Sequence, residues 1–116
     1  MARHTVSPCV FCEITQGRAP ATVVRRWADA LAIVPLNPVT EGHLLVLPIQ
    51  HVSDATTAPA VTAMTVMHAA TLLAESGRPA NLIANVGREA TQSVFHLHWH
   101  IVPRTASDGL RLPWST

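Results

Sequence analysis

Two hydrophobic periods divide the chain. Five short runs rich in β-branched and aliphatic residues read as strands: 21–27 (ATVVRRW), 30–36 (ALAIVPL), 42–48 (GHLLVLP), 80–86 (ANLIANV) and 93–102 (SVFHLHWHIV). The first two form a pair turned near Asp29. One longer run, 59–76 (PAVTAMTVMHAATLLAES), follows the helical period, with Val61, Met64, His68 and Leu72 on one face and Met67 beside them. Pro59 suits its first turn, Gly77 its stop, and Pro79 prevents its resumption. Residues 10–17 (VFCEITQG) predict a short helix ending at Gly17. The strands outnumber the helices and lie mostly too close together for crossover connections. The pattern therefore predicts an α+β fold: an antiparallel five-stranded sheet with one main helix and a short N-terminal helix. A single domain is expected over residues 1–116, with 1–7 as a flexible tail carrying His4.

Composition narrows the function classes. With 48% apolar and 13% charged residues the 116-residue chain reads as globular rather than disordered. A net charge of +1 and the lack of any basic run argue against a nucleic-acid polymer as partner. No apolar run approaches the ~18 residues of a membrane span. The opening "MARHTVSPCVFCE" lacks the apolar core of a signal peptide, so a cytoplasmic location is expected.

The chemistry concentrates in "HLHWHIV", residues 96–102. Alternate residues of a strand share a face, which puts His96, His98 and His100 on one side and Leu97, Trp99 and Ile101 on the other. Neighbouring histidines would then lie about 6–7 Å apart and the outer two about 13 Å, so a pair can share a metal ion but all three cannot. A row of imidazoles also suits a phosphate: protonated rings offer charge and N–H donors, and a neutral ring offers a nucleophilic nitrogen. Strict alternation between "TQS" and "VPR" argues against a merely solvated, histidine-rich face. His43 reads as a structural hydrogen-bonding residue, and His68 as packed or at an interface. Cys9 and Cys12, spaced C-x-x-C, admit three readings: half of a tetrahedral metal site, a redox pair, or two buried thiols. No thioredoxin-like βαβ pattern surrounds them.

These motifs resemble the histidine-triad (HIT) superfamily, whose mark is His-φ-His-φ-His-φ-φ with φ apolar. "CVFCEITQGRAPATVV", "LNPVTEGHLLVLPIQHV" and "NVGREATQSVFHLHWHIVPR" resemble its opening segment, central strand and closing active-site hairpin, in that order. The C-x-x-C and "GHLLVLP" segments are most similar to the Hint branch of nucleoside phosphoramidase-like proteins. The resemblance implies a nucleotide hydrolase or transferase acting on the α-phosphate of nucleoside phosphoramidates or dinucleoside polyphosphates, usually as a homodimer. It implies His98 as the nucleophile that forms a nucleotidyl-histidine, and His100 and the Gln92–Ser93 pair as holders of phosphate oxygens. Ser93 would donate towards the leaving group and Asn85 would contact the sugar–phosphate side. Val10, Phe11, Ile14, Ile33 and Leu36 would sandwich the base. It further implies a structural zinc on Cys9, Cys12, His51 and His96, and no organic cofactor. The alternative is a zinc-stabilised nucleotide-binding module with little turnover.

Two positions depart from the family pattern. Relatives usually carry an aspartate that accepts hydrogen bonds from the ribose hydroxyls; here "VPLNPVT" puts Pro35 in its place. Thr91 stands where relatives often have glycine before "QS". Proline offers no side-chain acceptor. The protein should therefore discriminate poorly between ribo- and 2′-deoxyribonucleotide substrates, and Pro35→Asp should raise the ribose preference about ten-fold, since a hydrogen bond to a charged group contributes roughly 1.5–3 kcal/mol. Matched kcat/KM values for adenosine and 2′-deoxyadenosine phosphoramidates test this; strong ribose selectivity in the unaltered protein would refute it.

Overall fold

The structure is a computed structural model that describes residues 9–114; His4 and the expected tail lie outside them. Its elements run α1 (Val10–Thr15), β1 (Val23–Arg26), β2 (Ala30–Ile33), β3 (Leu44–Pro48), α2 (Pro59–Ser76), β4 (Ala80–Ile83), a 3₁₀ turn (Arg88–Ala90) and β5 (Trp99–Pro103). All strand pairs are antiparallel, in the order β1-β2-β3-β5-β4. This is the α+β architecture the pattern predicts.

The period-two alternation sorts the sheet into two faces. Leu31, Ile33, Leu45 and Leu47 face one way and bury Phe11 of α1 against them, with Cys9, Ile14, Ile49 and Val94 at the margin. Ala32, Val46 and Ile101 face the other way against Ala69 of α2. Small residues at this second contact, with Ala32 and Ala69 fully buried, let the helix lie close on the strands. Among the described residues no helix is long and apolar enough to cross a membrane.

α2 runs over the range its sequence predicts, with Pro59 in its first turn and Gly77 closing it in the left-handed conformation at φ 65°. Val61, Met64, His68 and Leu72 of the predicted stripe are half-buried, but the most buried positions are the small residues that lie among them. Thr65 and Ala69 are its buried residues, Leu72 and Leu73 pack beside them, and Met67 is exposed. The helix is apolar almost all round, so large side chains are a poor guide to which stripe packs; the small ones mark where backbone and sheet approach. Thr65 satisfies its buried hydroxyl on the Val61 carbonyl at 2.7 Å.

The predicted strand over 93–102 is also corrected. Pairing begins only at Trp99, and His96 and His98 lie on the irregular approach to β5. The remaining strands are shorter than their patterns, so Leu36 lies beyond β2 and Asn85 beyond β4. The two sheet edges contrast. β1 carries Arg25 and Arg26 and a register irregularity, whereas β4, Ala80–Ile83, is regular and uncharged.

Candidate active site

The site forms on the sheet face opposite α2, where α1, the end of β3 and the approach to β5 converge. His96 is its anchor and is completely buried. Its Nε2 lies 2.8 Å from the Pro48 carbonyl oxygen, which only accepts, so Nε2 carries the proton and Nδ1 presents a lone pair. That Nδ1 lies 3.5 Å from Cys9 Sγ, 3.5 Å from Cys12 Sγ and 3.1 Å from His51 Nδ1. Cys12 Sγ lies 3.2 Å from His51 Nδ1, and all four ligand atoms fall within 4.8 Å of one another. A tetrahedral zinc with bonds of about 2.3 Å to sulfur and 2.0 Å to nitrogen sets ligand–ligand edges of about 3.3–3.8 Å. The residues thus fit zinc in number, donor type and spacing, and four protein ligands leave no open position. Burial and the neighbouring Cys9 push the Cys12 thiol up to about 11, so metal binding must displace thiol protons.

His98 stands on this anchor. Its Nδ1 lies 2.8 Å from the His96 carbonyl oxygen and must donate to it, which leaves the lone pair on Nε2. Burial lowers its pKa, partly offset by this bond, so the ring is neutral near pH 7. Phe11 packs edge-on against both His98 and His96, with ring centroids at 5.0 and 5.8 Å.

His100 lies with its ring centroid 5.0 Å from that of His98. Its Nδ1 meets His43 Nε2 at 3.0 Å, and the Val39 N–H donates to His43 Nδ1 at 3.1 Å. A neutral His43 that accepts at Nδ1 must donate from Nε2. His100 therefore accepts at Nδ1 and keeps its proton on Nε2. Burial, then His98 and His43, lower the His100 pKa to about 4, so it serves as a neutral N–H donor. His43 is a hydrogen-bonding residue as expected, but its contact with the triad was not foreseen. The available signal was strand parity: His43 lies two residues before Leu45, which pairs with His100.

The loop before the triad is pinned by Gln92, which is buried. Its Oε1 accepts from the Gly87 N–H at 2.9 Å, and its Nε2 donates to the carbonyls of Ser53 at 2.8 Å and Val94 at 3.1 Å. Both side-chain donors are thus committed to backbone, which corrects the expectation that they hold phosphate oxygens. Thr91 adopts φ 69°, a conformation that favours glycine. Ser93 is exposed beside this loop and Asn85 is half-buried after β4. Of the expected base contacts, Phe11 and Ile14 sit together, Val10 is half exposed and Ile33 is buried in the core. Leu36 is 97% exposed and is not brought to the others. His68 is packed: it stacks on Trp27 with centroids 4.2 Å apart and donates to Asp29 at 2.8 Å. Trp114 is exposed.

The family model of the HIT domain matches residues 16–107. The chain is 38% identical over 109 residues to a HIT-like protein of Mycobacterium tuberculosis, Rv1262c, covering 89% of this chain and 76% of that one. It is 29% identical over 109 residues to the adenosine 5′-monophosphoramidase hnt1 of Schizosaccharomyces pombe, covering 91% and 82%. Among solved structures it is similar to a zinc-bound histidine triad family protein from Mycobacterium smegmatis, with a TM-score of 0.80, 36% identity and coverage of 89% and 79%.

The donor geometry yields a direct expectation. Protein purified without chelators should carry about one zinc per chain, and stripping it should lower Tm by about 10 °C or more, because binding to the folded state alone contributes several kcal/mol. Cys9→Ser should lose the metal and most of that increment. Elemental analysis and thermal melts check this; a metal-free protein with an unchanged Tm in the variant would refute it.

Proposed function

The chain belongs to the HIT domain family, and from that membership we propose that it hydrolyses nucleotidyl compounds, foremost nucleoside phosphoramidates, through a covalent nucleotidyl-histidine. The observation that carries this reading is the bond from His98 Nδ1–H to the His96 carbonyl, which leaves a neutral Nε2 lone pair beside a neutral N–H donor on His100. The relative named as an adenosine 5′-monophosphoramidase supports the substrate class.

In this reading His98 Nε2 attacks the α-phosphorus, a P–N bond forms, and the bond to the leaving amine or phosphate breaks. Water then displaces the imidazole and releases the nucleoside monophosphate. Splitting the displacement in this way replaces one hard step by two easier ones. His100 Nε2–H meets the negative oxygens, and Ser93 donates to the leaving group. Gln92 keeps the 87–92 loop in shape. Phe11, Ile14 and Val10 form the apolar wall for the base, and Asn85 faces the sugar–phosphate side. A zinc held by Cys9, Cys12, His51 and His96 would brace His96 and take no part in the displacement.

His98→Ala should lower kcat/KM on an adenosine phosphoramidate with a fluorescent amine by ~10⁴-fold or more, as expected for loss of a nucleophile, while nucleotide binding persists. In the unaltered protein the acid limb of the rate profile should lie below pH 6.5, since burial depresses the His98 pKa. Wild-type rates in the variant would refute the mechanism. Tight nucleotide binding without turnover in the unaltered protein would favour a binding module instead.

The proposal includes a homodimer. β4 is an unguarded, uncharged sheet edge, and Met67 leaves apolar surface exposed on α2. Light scattering at micromolar concentration should give twice the chain mass; a monomer mass would overturn the assembly.

A further inference from the structure

Cys9 and Cys12 are the protein's only cysteines and sit one helical turn apart at the start of α1. Cys9 is the N-cap, and its Sγ accepts from the Cys12 N–H at 3.4 Å, so its sulfur lies over the helix N-terminus beside Cys12. The two sulfurs lie within 4.8 Å of each other. The cluster opens to solvent through His51, which is exposed, and both cysteines are half-buried rather than sealed. A small oxidant can therefore reach two sulfurs held close together on one helical turn. The same cluster touches the nucleophile by two routes. His96 lends its Nδ1 to the cluster and its carbonyl to His98, and α1 carries Phe11 against both rings.

We propose that Cys9 and Cys12 form a redox switch on the active site: peroxide joins them in a disulfide, releases the metal, and lowers turnover by loosening His96 and α1. The reaction balances as a two-electron oxidation. The two thiolates lose one electron each and form the S–S bond. Hydrogen peroxide accepts both electrons, its O–O bond breaks, and two protons complete two waters. Zinc is redox-inert and departs because a disulfide no longer offers two anionic ligands. A dithiol reductant reverses the sulfur chemistry, and added zinc then restores the cluster.

The effect on turnover rests on the hydrolase reading, whereas metal release and disulfide formation do not, so the two fail separately. Zinc-loaded protein should be titrated with hydrogen peroxide beside a chromophoric chelator, with the peptide spanning both cysteines followed by mass spectrometry. The expected result is one zinc released for each Cys9–Cys12 disulfide, seen as loss of two hydrogens, with a lowered Tm. Phosphoramidate hydrolysis should fall ten-fold or more in parallel, and dithiothreitol with zinc should restore all three. The Cys9→Ser/Cys12→Ser double variant should show no further reversible loss on peroxide treatment; if it fails to fold, the peptide masses of the unaltered protein decide alone. Zinc retained with both thiols free under excess peroxide, or sulfinic acids or intermolecular disulfides instead of the intrachain bond, would overturn the proposal. A disulfide formed with zinc release but unchanged hydrolysis would overturn its regulatory part.

Discussion

The site depends on one buried imidazole having every polar group satisfied. His96 is fully buried, and leaving any one of its ring nitrogens or its carbonyl unpaired there would cost about 1–3 kcal/mol. The Pro48 carbonyl takes its Nε2–H, the cysteine–histidine cluster takes its Nδ1, and the His98 ring takes its carbonyl. These three bonds join the end of β3, the first turn of α1 and the nucleophile. Burial also lowers the pKa of His96 to about 4, so it stays a neutral ligand.

A second chain of bonds does the same for the third histidine. The Val39 amide orients His43, and His43 orients His100. The Val39 amide, which only donates, fixes the His43 tautomer, and His43 in turn fixes that of His100; the His96 carbonyl, which only accepts, fixes that of His98, and burial keeps the rings uncharged. The triad is thus not the row of charged imidazoles that an exposed strand face would provide. It is a neutral nucleophile beside a neutral donor, both preorganised by backbone groups, which is the arrangement in which fixed dipoles meet developing charge without reorganisation.

Much of this was legible in the sequence, for physical reasons that differ by residue. Pro59 and Gly77 mark the ends of α2 because each restricts or frees the backbone in a way few residues can. Cys9 and Cys12 were legible as a ligand pair from their short spacing, whereas His51 and His96 followed only from the family resemblance; the structure brings all four together. The start of β5 was not legible: the period-two pattern runs on through His96 and His98, but the bonds to Pro48 and Val52 hold that segment off the ladder. Gln92 hid its role because its partners are backbone groups of Gly87, Ser53 and Val94, which leave no side-chain signature. Leu36, which the family resemblance put among the base contacts, lies beyond the end of β2 and is exposed.

The central claim is that His96 sets the tautomer of His98, and nitrogen NMR of the histidine rings tests it most directly. In zinc-loaded, ¹⁵N-histidine-labelled protein near pH 7, His98 should show a proton on Nδ1 and a bare Nε2, while His96 shows a proton on Nε2 and a metal-bound Nδ1. A His98 ring protonated on Nε2, or on both nitrogens, would contradict the account, because the nitrogen required for attack would then be occupied.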